Sequence, residues 1–144
     1  DEKQVHGLDT TERTPAVGGW LLVLCCCLGL WQPLTLALVA TSALGALPVR
    51  GWPVALVLLA RAAATAVGVA AAIAVLRRNA AAPRLAQAAL LLWVVVELSV
   101  YSTSYFPNNR PPGDTPFYVA ASLVYYGAWA AYLARSARVR RTFR

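Results

Sequence analysis

Histidine occurs once in these 144 residues, at position 6, acidic side chains number only six, and methionine is missing altogether. One histidine in a polar leading arm excludes a histidine-ligated haem, a di-iron centre or a histidine base within the apolar part of the chain. The cysteines Cys25, Cys26 and Cys27 are adjacent, so on a helix they face different directions, and no imidazole accompanies them. They fit neither a redox C-x-x-C pair nor a metal site and read as small buried apolar side chains. No Ser-His-Asp set, phosphate-cradling glycine loop or catalytic carboxylate pair is present. No cofactor or metal is therefore expected and an enzyme is not the favoured reading, since Glu97 or a tyrosine alone would have to carry it. Because position 1 is not methionine, Asp1 is not expected to be the biological start.

Apolar residues fill the space that charge leaves: 59% of the chain is hydrophobic and 13% charged, too little polar surface for a soluble domain. Four apolar stretches, over about 17–44, 52–76, 85–105 and 117–133, each approach or exceed the roughly 20 residues that cross a hydrocarbon core. The expectation is an all-α integral membrane protein, a four-helix antiparallel bundle joined by short loops. Residues 1–16 read as a flexible polar arm, 17–135 as the membrane domain and 136–144 as a basic tail. Pro33 should kink the first helix, Gly45 and Pro48 should close it, and Pro53 suits the first turn of the second. The stretch from Phe106 to Asp114 is too dense in Pro, Asn and Gly to be helical.

The net charge of +7 does not indicate nucleic acid, because the basic residues cluster at helix ends, where topology and anionic headgroups account for them. Lys3, Arg13, Arg77, Arg78, Arg84, Arg135, Arg138, Arg140, Arg141 and Arg144 fall on one side of the four-span arrangement, and only Arg50 and Arg110 on the other. By the positive-inside tendency both termini are cytoplasmic.

Two charges lie inside the spans. Arg61 is about nine residues, roughly 13 Å, from the outer end of the second helix, and Glu97 about eight residues, roughly 12 Å, from that of the third. Matched depth and opposite sign point to an ion pair in the bundle interior, since a lone charge there costs at least a few kcal/mol. Thr65, Gly68 and Ala72 continue the Arg61 stripe with small side chains suited to close helix contact. Trp93, Glu97, Tyr101 and Ser104 share one face of the third helix. Arg61, Glu97, Tyr101 and Trp93 are accordingly the candidate ligand- or partner-binding residues, against the alternative of a structural pair that fixes helix register.

The closing string Trp129-Ala-Ala-Tyr132-Leu-Ala-Arg135-Ser136-Ala-Arg138-Val139-Arg140-Arg141-Thr142-Phe143 resembles the W-x-x-Y-x-x-x-S-x-R-V-x-x-T-F ending of the YdgK-like bacterial inner-membrane proteins, a four-helix family of unknown function. Gly19-Trp20-Leu21, with Pro33 farther on, is similar to that family's opening. The resemblance implies a multi-pass protein of the bacterial inner membrane and supplies no activity. Read from the residues alone, Arg135, Arg138 and Arg141 recur every three positions, a basic face for anionic headgroups or for docking. Val139, Arg140 and Phe143 complete that candidate surface, the two apolar residues dipping into the membrane boundary.

The function expected is that of an accessory or assembly subunit binding a membrane protein, lipid or a second copy of itself. The alternative is a small transporter working through Arg61 and Glu97. Orientation is directly testable: an impermeant thiol reagent applied to whole cells should label a cysteine placed at Asn109 and spare one at Arg144, and the reverse pattern would invert the topology.

Overall fold

Inside a bilayer each backbone N–H and C=O must be satisfied within its own segment, and a run of Leu, Val and Ala achieves this as a helix. The computed structural model, which describes residues 19–102 and 113–143, contains four such helices. They are α1 (Trp20–Arg50), α2 (Trp52–Leu76), α3 (Ala82–Ser102) and α4 (Thr115–Arg135), each long and apolar enough to cross a membrane. A short helix, α5 (Ala137–Thr142), follows. No strand is present among the described residues. Residues 1–18, with the polar arm and His6, residues 103–112, with Ser104 and Arg110, and Arg144 lie outside them.

The prolines act differently from the sequence expectation. α1 passes through Gly45 and Pro48 and ends at Gly51, whose φ of 70° and ψ of −158° only glycine adopts readily. Pro48 removes a single donor near the helix end, and losing one bond costs less than opening a helix in lipid. Pro33 is preceded by a π-helical turn, Cys27–Trp31, within the otherwise α-helical span. Lacking an N–H, Pro33 cannot serve the Gly29 carbonyl, and the ladder is already widened in the turn before it, where the Gln32 N–H donates to the Cys27 carbonyl.

Small residues set the packing. Along the α1–α2 contact a Cβ on Gly29 would lie 3.1 Å from the Ala72 Cβ, and one on Gly68 would lie 2.6 Å from Gln32 Oε1 and 3.5 Å from the Leu28 carbonyl oxygen. Glycine and alanine at these positions let the helices approach closely, which in lipid gives the dispersion contacts that drive association. The register, Gly29 to Ala72 and Gln32 to Gly68, makes the helices antiparallel about Gly51. α2 also packs along α3, and Ala71 and Ala74 on the one and Ala82, Ala86 and Ala89 on the other are all buried. α4 packs on α3, with Tyr118 beside Tyr101 and Ser122 beside Glu97.

Among the described residues the bundle closes at one end. Trp20 and Trp129 meet edge to face at 6.3 Å, and Tyr125 lies beside Cys27, so α4 touches the beginning of α1. Leu21, Leu24, Leu28 and Val75 form the fully buried centre of this end. Beyond Gln32 no residue of α1 is buried, and its extensive packing is with α2 alone. Leu34, Leu38, Leu44 and Val49 are exposed there, and no broad contact joins this half of α1 to α4. Among the described residues a wedge therefore opens at the end away from Gly19.

Replacing Gly68 by Leu should force α1 from α2 and cost about 1–3 kcal/mol, the usual range for overpacking. Gly45→Leu, where a new Cβ meets nothing within 4 Å, should be neutral. Thermal unfolding in detergent compares the two, and equal losses would show that close α1–α2 approach does not hold the bundle.

Candidate functional site

The two intramembrane charges lie in the same region of the bundle. Tyr126, 8% exposed on α4, is within electrostatic reach of both Arg61 and Glu97. The expected ion pair is nevertheless not formed among the described residues: Glu97 Oε2 accepts a hydrogen bond from Ser122 Oγ at 2.5 Å, and Arg61 Nε is buried without a partner. The physical reason lies in the packing faces. Glu97 looks onto α4, where Ser122 supplies a donor, whereas Arg61 stands at helical spacing from Thr65 and from Gly68, the residue that meets α1. Thr65 gives no help to the guanidinium, because its hydroxyl donates to the Arg61 carbonyl at 2.8 Å.

Two further polar groups remain unsatisfied close to the helix contacts. Trp93 is 4% exposed with Nε1 unpartnered, and Gln32 is 8% exposed with Oε1 unpartnered and held against Gly68. A buried donor or acceptor without a hydrogen bond costs about 1–3 kcal/mol, and more where hydrocarbon replaces water. Among the described residues two N–H donors and one carbonyl thus lack protein partners in the interior. Tyr101, the remaining sequence candidate, is buried with its ring 6.2 Å from that of Tyr118. Sequence reasoning passed over Ser122 and Gln32. Ser122 sits midway between Tyr118 and Tyr126 at helical spacing, which is the signal for it, and Gln32 is the lone amide of the first span.

The tail residues form a second constellation. Ser136 breaks the helix with ψ of 119°, and its Oγ accepts from the Val139 N–H at 3.5 Å to start α5. This folds α5 back onto the bundle. Val139 is 2% exposed in one cluster with Leu21 and Leu133, and Phe143 packs against it, so Val139 does not face the membrane boundary as the sequence suggested. A side chain is preferred inside when a complementary apolar hollow lies within reach. Arg138 reaches over Gly19, where a Cβ would fall 2.5 Å from its guanidinium nitrogen, and Gly19 itself has φ of 63°. Arg135, Arg140 and Arg141 remain exposed, free of such packing.

The cysteines divide: Cys25 is buried, Cys26 exposed and Cys27 intermediate, all as free thiols. Only Cys25 therefore fits the reading of a buried apolar side chain. Cys26 joins Leu22, Leu30 and Leu34 around an open apolar hollow of about 430 Å³ on the outer side of α1, which contains nothing to orient a polar ligand. Among the described residues no cluster of histidine, cysteine or carboxylate could hold a metal ion. Comparison with family models, with curated proteins and with solved structures gives no match.

The Ser122–Glu97 bond is open to a direct test. Ser122→Ala should destabilise the protein by about 1–3 kcal/mol, because the carboxylate then keeps its burial and loses its donor. In the Glu97→Leu background the same change should cost little. Equal effects in both backgrounds, measured by unfolding in detergent, would show that the bond does not matter to the fold.

Proposed function

We propose that this protein is a non-enzymatic, small multi-pass protein of the bacterial inner membrane, with both termini cytoplasmic, acting as an accessory or assembly subunit. The carrying observation is the half-open bundle: the Gln32–Arg50 part of α1 buries only Gln32 and packs broadly on α2 alone. Thr35, Thr41 and Ser42 on this segment donate to their own helix backbone, so the surface offered is apolar and rich in small side chains. Such a surface suits a helix of another membrane protein or of a second copy of this chain.

Relationship to the YdgK-like family is part of the same reading. Support comes from the two strings that carry the resemblance, since Gly19-Trp20-Leu21 and the Trp129–Phe143 segment are neighbours in space. Strings that pack against each other are constrained as a unit. The exposed Arg135, Arg140 and Arg141 remain available to anionic headgroups, while Arg138 and Val139 serve the fold.

A second reading, a small transporter or ligand-binding protein, is favoured by one observation: Arg61 and Glu97 do not neutralise one another, and Arg61 Nε has no partner. Photo-crosslinking separates the two. A crosslinker at Leu38 or Leu44 should capture a defined protein in the native membrane, identified after gentle detergent extraction, while one at Leu91 on α3 should capture lipid alone. Lipid alone at all three positions would remove the accessory reading and leave the interior site.

A further inference from the structure

We propose that the α1–α4 wedge leads to a site for a zwitterion, a group carrying an anionic oxygen and an ammonium, which spans Arg61 and Glu97. The inference rests on the second reading above, the interior as a binding site, and names the chemical class that this site would take.

The charges themselves supply the first reason. A guanidinium and a carboxylate at matched depth, both only part-buried, would normally pair, yet here they do not. A purely anionic ligand drawn to Arg61 would meet repulsion from Glu97, and a purely cationic one the reverse. A zwitterion satisfies both, its anion on the guanidinium and its ammonium on the carboxylate. Ser122 leaves this possible, because its single hydroxyl engages only one Glu97 oxygen and a carboxylate accepts several hydrogen bonds.

The unpartnered atoms supply the second. Trp93 Nε1 on a side chain 96% buried adds a neutral donor to the guanidinium, and Gln32 Oε1 adds an acceptor. Unpartnered donors for an anion and an unpartnered acceptor for an ammonium are the kinds of group that such a ligand needs. Access is the third reason: among the described residues nothing joins α1 broadly to α4 toward Gly51, so a headgroup of the leaflet on that side, or a soluble zwitterion, has a route that skirts the closed end. The shared chemistry is a phosphate or carboxylate separated by a few bonds from an ammonium, as in a phosphoethanolamine headgroup or a free amino acid.

The full-length protein in nanodiscs of equal phosphatidylethanolamine and phosphatidylglycerol provides the assay. Native mass spectrometry should find phosphatidylethanolamine retained in preference, with the preference reduced about ten- to a hundredfold in Arg61→Gln and in Glu97→Gln. In discs of phosphatidylglycerol only, added phosphoethanolamine or alanine should raise the melting temperature if the ligand is soluble, and leave it unchanged if the acyl chains are required. The double variant Arg61→Leu/Glu97→Leu removes both charges together and checks that lost selectivity is not lost folding. Equal retention of the two lipids, with no shift from either soluble probe, overturns the proposal and the binding-site reading alike. Preferential phosphatidylglycerol retention that depends on Arg61 but not Glu97 overturns the zwitterion class while leaving the binding site standing.

Discussion

Close approach of helix backbones at α2 is the constraint on which the remaining structure depends. In hydrocarbon there is no gain from hiding apolar surface, because lipid is as apolar as leucine, and helices associate through contact density and hydrogen bonding. α2 provides that density toward two partners: Gly68 and Ala72 admit α1, and α3 packs along the same helix, where Ala71 and Ala74 are buried. α4 is added to α3 by fewer and larger groups, of which Tyr126 and Leu133 are its two buried residues. Contact quality thus declines from the centre of the sequence toward its last span. Burial of Val139 in the cluster that holds Leu21 and Leu133 compensates at the end where α4 would otherwise be least secured.

Much of this was legible in the residues. Hydrophobic run length and turn formers identify four spans and their order, because a helix in lipid has almost no competing conformation. The small-residue stripe at Thr65, Gly68 and Ala72 correctly marks a contact face, since missing side-chain volume has an immediate steric meaning. Boundaries at Pro33 and Pro48 were less legible. A proline states which donor is absent, but whether the helix breaks, kinks or widens into a π turn depends on what surrounds it.

The candidate site was readable as a set and not as a geometry. Depth matching brings Arg61 and Glu97 to one level, and both do lie near Tyr126. Depth does not specify azimuth, however, and Glu97 is claimed by Ser122 across the α3–α4 contact. The tail shows a related limit. A three-residue arginine period suggests one basic face, but the extended Ser136 interrupts the helix and resets the faces beyond it, turning Val139 inward.

The contact of Gly19 with Arg138 ties together positions separated by about 120 residues, a long loop to close, though closure cost grows only slowly with length. Its consequence concerns biosynthesis. α1, α2 and α3 can form their hairpins as they leave the insertion machinery, but Val139 can occupy its place beside Leu21 only after α4 has itself been threaded through the bilayer. Completion of the closed end is therefore a late event that reports correct insertion of every span. A chain with one span left outside the bilayer would display Leu21, Val139 and Phe143 uncovered, the sort of surface on which quality-control proteases act.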